Sequence, residues 1–139
     1  MRWRSVTIAG GLIVLLAVGS TAALQQLASG LCRSTEITRL TSPDSHHDAV
    51  LFDRNCGATT DFASHVSLVP SGEPLGNSAG NVFIAEAGEA VARAAWGGPP
   101  VAVHWDTGGV LVIRYDPGAE VFQTATEVAG VPVRAGAAP

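Results

Sequence analysis

An uncharged stretch of 18 residues, Val6 to Ala23, is the feature that most limits what this chain can fold into. Its length lies at the lower edge of the roughly 17 to 25 residues that a helix needs to cross a bilayer. Arg2 and Arg4 precede the stretch and small residues end it, which is equally typical of a cleaved secretory signal. We therefore expect residues 1–23 to form a hydrophobic helix that acts as a signal anchor or a signal peptide. Both forms export the rest of the chain, because arginines before an apolar run favour an N-terminus that stays inside.

A third hypothesis places a lipid on Cys32, since small residues precede this cysteine at Ala28, Ser29 and Gly30. The bulky Leu31 stands directly before the cysteine, where a small residue is expected. The lipid hypothesis therefore ranks behind the other two.

The exported part is acidic. Beyond residue 23 the chain has six arginines and twelve carboxylates, which gives a formal charge of −6. Nucleic-acid affinity derives largely from Lys and Arg that neutralise phosphates, so we expect no nucleic-acid partner. The chain contains no lysine, which excludes Schiff-base and P-loop lysine chemistry.

About 110 residues follow the leader, enough for one compact domain and too few for two. We expect residues 24–34 to be a stalk and residues 35–139 to be an extracytoplasmic domain. The only two cysteines, Cys32 and Cys56, lie beyond the leader, in a compartment where disulfides form and persist. We therefore predict a disulfide between them.

Short apolar or alternating segments, separated by turn residues, predict an all-β domain. The predicted strands are Thr35–Leu40, Ala49–Phe52, Asp61–Val69, Asn81–Ala85, Val101–Trp105, Val110–Tyr115, Val121–Val128 and Val131–Arg134. Turns are predicted at Ser42-Pro43-Asp44, at Asp106-Thr107-Gly108-Gly109 and at Asp116-Pro117-Gly118. The expected architecture is a small antiparallel meander or sandwich of about seven strands.

Local patterns add four expectations. Ala49–Phe52 is apolar throughout and short enough for a strand that is buried on both faces. Apolar and polar residues alternate along Asp61–Val69, so His65 is expected to face water. The alanine-rich segment Glu86–Trp96 is the one place where a helix is predicted. Pro70–Gly80, with two prolines and three glycines, is a long loop that a ligand-binding module would use as a lid.

The motif Cys56-Gly57-Ala58-Thr59-Thr60 follows Asp53-Arg54-Asn55. Further motifs accompany it at Ser42-Pro43-Asp44, Gly80-Asn81-Val82-Phe83-Ile84-Ala85, Val103-His104-Trp105 and Leu111-Val112-Ile113-Arg114-Tyr115. With these motifs the chain resembles an uncharacterised family of small bacterial envelope proteins over roughly residues 32–134. The resemblance implies an envelope location, a leader or anchor and a framework of two cysteines, and it implies no reaction.

Cys56 is a candidate nucleophile, because Gly57 leaves its flank open and Thr59, Thr60, His65 or His104 could polarise the sulfur. This role requires a free thiolate. A disulfide with Cys32 in an oxidising space is the alternative that we favour.

Asp44, His46, His47 and Asp48 place four potential metal ligands within five residues. Adjacent histidines on a strand point to opposite faces, so all four could bind one ion only if the segment stays a loop. A solvated polar turn explains the same residues, and we predict no metal and no other cofactor.

Two further polar pairs have simple structural explanations. His104 and Asp106 are spaced as acid–base partners on one side of a strand, but they also flank a predicted turn where polar residues face water. Asp53 and Arg54 are more typical of cross-strand ion pairing than of a substrate clamp.

Trp96 is the predicted contact residue. It lies between the alanine-rich segment and Gly97-Gly98-Pro99-Pro100 and has no evident inward partner, whereas Trp105 belongs to the apolar face of a strand. An exposed tryptophan is a frequent anchor for a protein partner.

No complete catalytic set is present, so we expect a membrane-anchored or secreted non-catalytic envelope protein that binds an unidentified envelope component. The alternatives are a small cysteine- or metal-dependent enzyme that uses Cys56 or the Asp44–Asp48 cluster, and a ligand-sensing module with Pro70–Gly80 as its lid.

Overall fold

The computed structural model describes residues 17–24, 27, 30–57 and 62–139. The chain divides into two compact units, Met1–Leu31 and Cys32–Pro139. In the first unit, residues 17–24 are helical. Most of the predicted leader, residues 1–16, lies outside the described residues. Within the described residues, no helix is long and apolar enough to cross a membrane.

The described residues of the second unit contain nine strands, which confirms the all-β prediction and exceeds the predicted number. They are β1 (Arg33–Thr41), β2 (His47–Asn55), β3 (Ala63–Pro70), β4 (Phe83–Glu86), β5 (Val101–Trp105), β6 (Leu111–Tyr115), β7 (Glu120–Thr124), β8 (Glu127–Val128) and β9 (Val131–Ala137). β1 begins inside the predicted stalk, because it pairs with β2 from Arg33 onward.

The strands form a five-stranded sheet in the order β1-β2-β3-β4-β7 and a four-stranded sheet in the order β5-β6-β9-β8. Every pairing in the first sheet is antiparallel. In the second sheet β6 and β9 run parallel, which a meander does not allow. The parallel pair arises because the chain leaves β6, adds β7 to the other sheet and returns through β8 before it forms β9.

Both sheets contribute side chains to one hydrophobic core. The first sheet and the residue before β4 contribute the buried side chains of Ala49, Leu51, Val66, Leu68, Val82, Phe83 and Ala85. The second sheet contributes those of Val101, Leu111, Ile113 and Val133. The period of two along each strand places these residues on one face. Trp105 packs partly buried against this core, as its pattern predicts.

The opposite face of the first sheet, which we call the outer face, is also buried around the centre of β2 and β3. Val50 and Phe52 are inaccessible to solvent, which confirms that β2 is buried on both faces. His65 also lies on the outer face and is only 6 % exposed, so the prediction that it faces water is wrong. The reason is non-local, since residues 71–82 run over this face and cover it.

The predicted helix over Glu86–Trp96 is absent. β4 includes Glu86, and the chain then makes isolated turns in which Val91 N–H bonds to the Gly88 carbonyl and Gly97 N–H bonds to the Ala94 carbonyl. A segment of 11 residues with an internal glycine is below the length at which a helix is stable by itself. Ala87 and Val91 are buried, so the packing of these side chains determines the conformation here.

Candidate binding surface

Cys32 and Cys56 form a disulfide, as predicted, with their Cα atoms 3.9 Å apart. Cys32 precedes β1 and Cys56 follows β2, while the turn between these two strands closes the other end of the hairpin. The hairpin is thus a covalently closed ring. Because both sulfur atoms are in the bridge, Cys56 presents no thiolate and the nucleophile hypothesis has no reactive group.

The four candidate metal ligands do not form one cluster, although Asp44 Oδ2 and His46 Nδ1 lie 3.5 Å apart. Asp44 and His46 are exposed on the turn, where Asp44 accepts hydrogen bonds from the Ser42 hydroxyl and the His46 N–H. These bonds lower the pKa of Asp44, the Ser42 bond most of all. Asp48 is buried on the outer face. Within the described residues, no three His, Cys, Asp or Glu side chains are close enough to hold a metal ion.

His104 and Asp106 do not act as a pair. His104 is exposed on β5, and Asp106 Oδ1 accepts hydrogen bonds from Gly108 N–H at 2.8 Å and Val110 N–H at 2.9 Å. No hydrogen bond joins His104 to Asp106 in the described part of the chain. Asp106 therefore stabilises the β5–β6 hairpin turn, which confirms the turn prediction.

Asp53 and Arg54 are adjacent on β2 and point to opposite faces, so they do not pair with each other, and neither forms an ion pair within residues 17–24, 27, 30–57 and 62–139. Burial raises the pKa of Asp53, and its Oδ1 has no hydrogen-bond partner among the described residues. Arg54 is 8 % exposed and donates from Nη1 to Ser34 Oγ at 3.1 Å and to Asn77 Oδ1 at 3.2 Å.

Trp96 has an inward partner that the sequence does not reveal. Its indole N–H donates to Ser64 Oγ at 2.9 Å, and the Ser64 hydroxyl donates in turn to the Pro99 carbonyl at 2.7 Å. Ser64 is inaccessible to solvent, whereas Trp96 is half-buried. This chain of bonds fixes the indole at the surface with part of its ring exposed.

Trp96 forms one wall of a groove of about 340 Å³, which we call the Trp96 groove. The groove is lined by Trp96, Pro100, Val101, Ala102, Arg114, Tyr115, Asp116, Pro117, Ala138 and Pro139. The Tyr115 ring packs against the buried Phe83 ring with centroids 5.2 Å apart, so this second aromatic is also held from below. The backbone carbonyl of Tyr115 accepts a hydrogen bond from Ala138 N–H, which places Ala138 at the rim of the groove. Two fixed aromatic side chains and an exposed arginine thus converge on one largely apolar groove.

A second groove, of about 500 Å³, lies at the other end of β5 and β6 and was not predicted. Three turns form its rim: the β1–β2 turn, the β5–β6 turn and the β8–β9 turn. Its aromatic member is Trp105, whose indole N–H donates to the Leu40 carbonyl at 3.0 Å. Each turn is visible in the sequence, but their convergence depends on the packing of the two sheets.

The predicted lid is a tightly bonded cover, which we call the strap, residues 71–82. Asp48 accepts hydrogen bonds from Ser71 Oγ and Gly72 N–H at its beginning. At its end, Asn81 bonds to both the N–H and the carbonyl of Leu68. Between these points Asn77 accepts from Arg54, and Gly80 donates its N–H to His65 Nδ1. The strap covers packed side chains of the outer face.

No family model, curated protein or solved structure matches this chain. The resemblance to small bacterial envelope proteins therefore stays a prediction.

Proposed function

We propose that this protein is an exported, non-catalytic binding module of the cell envelope, and that its β domain holds an envelope protein in the Trp96 groove. Residues 1–23 serve as its anchor or its cleaved signal. Two observations support export: the uncharged run after Arg2 and Arg4, and the disulfide, since such bonds persist in oxidising compartments.

The observation that carries the binding role is the meeting of Trp96, Tyr115 and Arg114 in one groove. Tryptophan, tyrosine and arginine are the residue types that dominate the binding energy of protein interfaces. Here both aromatic rings are held by buried neighbours, Ser64 and Phe83, so little side-chain entropy is lost when a partner binds.

The contacts of the alternative catalytic groups favour binding over catalysis. The Cys56 sulfur is bonded to Cys32, and the Asp48 carboxylate accepts hydrogen bonds from Arg39, Ser71 and Gly72. Each group already has a structural role in the fold.

Trp96→Ala is expected to reduce recovery of the partner from solubilised envelopes by at least about 10-fold, because truncation of a central tryptophan anchor costs about 2 kcal/mol or more. Phe122→Ala is the matched control, since Phe122 is an exposed aromatic residue on β7 outside the groove. Arg114→Glu tests the same groove from an exposed side chain and leaves the Trp96–Ser64 bond in place. Unchanged recovery with both groove variants would remove the proposal.

The mass of the mature chain distinguishes the two forms of the leader. A signal peptide cut after Ala22 or Ala23 is absent from the mature protein, whereas an anchor is retained.

A further inference from the structure

We propose that the strap is an acid-released cover: protonation of His65 frees the middle of the strap from the outer face while the core between the two sheets stays folded.

The hydrogen bond between His65 and Gly80 requires a neutral imidazole. Gly80 N–H donates to His65 Nδ1 at 3.0 Å, so Nδ1 acts as the acceptor and the ring proton is on Nε2. The ring lies against Phe52 with centroids 5.2 Å apart and is 6 % exposed. A second proton would occupy Nδ1, remove the acceptor and leave two N–H groups facing each other in a buried site.

Of the charged groups near His65, Arg54 is the one that opposes its protonation. The charged groups on the outer face are Glu36 and Arg39 on β1, Asp48 and Arg54 on β2, Glu86 on β4 and Glu120 on β7, and the strap contributes Glu73. Glu36 and Asp48 both pair with Arg39. Burial, and then the positive charge of Arg54, lower the pKa of His65 to about 4. A protonated His65 and Arg54 would repel each other beneath the strap.

The ends of the strap are held by groups that do not change charge in the same pH range. Asp48, which binds Ser71 and Gly72, has its pKa lowered to about 2, first by the Gly72 N–H. The bonds of Asn81 involve no titrating group. Acidification therefore acts first on the contacts at Asn77 and Gly80. The middle of the strap opens while both ends stay attached, and Val50 and Phe52 become accessible.

The direction of the effect follows from proton binding. An exposed histidine titrates near 6.5, so the open form binds more protons than the closed form between pH 6.5 and about 4. The closed form is fully favoured above pH 6.5 and loses its advantage as the pH falls towards 4. Relative to pH 7, the opening equilibrium constant is expected to rise about 20-fold at pH 5 and about 100-fold at pH 4, and to level off at about 200-fold at lower pH.

Amide hydrogen exchange of the full chain at pH 7 and pH 5, corrected for the intrinsic rate, tests this proposal. Protection of the Gly80 amide, whose N–H bonds to His65, is expected to fall about 20-fold at pH 5, while β6 stays protected. In His65→Asn the amide oxygen can accept the Gly80 N–H but cannot become charged, so its strap protection should not depend on pH. His104→Asn, at an exposed histidine, should behave as the wild type.

Equal loss of protection in the strap and in β6 would overturn the proposal, as would an unchanged pH response in His65→Asn. A titration of His65 in the wild-type chain by NMR gives an independent test. Opening of the strap should follow the protonation of His65, and opening at a pH where His65 stays neutral would also contradict the proposal.

Discussion

Replacing Cys32 and Cys56 together with serine is expected to lower the free energy of unfolding of the β domain by about 3 to 4 kcal/mol. The bridge closes a loop of about 25 residues, and its main effect is to restrict the unfolded chain. The effect is large for a domain of this size, whose total stability is typically about 5 to 15 kcal/mol.

Denaturant-induced unfolding of the full chain measures this change. Reduction of the wild-type disulfide should lower the midpoint as much as the double substitution does, because both remove the same cross-link. A loss below about 1 kcal/mol would show that the hairpin is held by its strand pairing and that the disulfide adds little.

Asp48→Asn is expected to cost about 2 to 3 kcal/mol, since it removes the charged acceptor from a partly buried, hydrogen-bonded ion pair. The Asp48 side chain is 4 % exposed, and its Oδ2 accepts from Arg39 Nη1 and from Gly72 N–H, both at 3.0 Å. An asparagine side chain at this position lacks the negative charge that binds Arg39. Its NH2 group also cannot accept the hydrogen bonds that the Asp48 oxygens accept.

Thermal or denaturant unfolding at pH 7 checks the loss, with Glu127→Gln as the control at an exposed carboxylate on β8. The pH dependence gives a second measure. The pKa of Asp48 is lowered to about 2, so its contribution is present above pH 3.8 and is lost as the pH falls towards 2. A variant as stable as the wild type at pH 7 would show that Asp48 does not anchor the strap.

Local signals in the sequence predict the parts of the fold that local chemistry determines. In the turn Asp106-Thr107-Gly108-Gly109, the Asp106 carboxylate accepts hydrogen bonds from the Gly108 and Val110 N–H groups. The sequence predicts the disulfide because only two cysteines are present and both follow the uncharged stretch Val6–Ala23. Each of these predictions depends on a few residues, which either are close in sequence or are the only residues of their type in the chain.

Non-local packing explains the errors. The alternation around His65 is that of a half-exposed strand, but the strap covers the side that would otherwise meet water. Glu86–Trp96 has helical composition, yet after Glu86 it forms isolated turns in which Ala87 and Val91 are buried. The parallel β6–β9 pair depends on β7 joining the other sheet.

The candidate site was predictable only in part. The flanking glycines and prolines single out Trp96 as a contact residue. Its bond to Ser64 and its position beside Tyr115 depend on how the loop before β5 packs onto β3. The groove, as distinct from the single tryptophan, is therefore a finding of the structure.

Site-specific photo-crosslinking in the native envelope tests the binding role most directly. A photoreactive residue at Ala102, an exposed position in the Trp96 groove, is expected to capture one dominant envelope protein. The same residue at Thr107, exposed in the Trp105-containing groove, should not capture it. Identical adducts from both positions, or adducts with cytosolic proteins alone, would contradict the account.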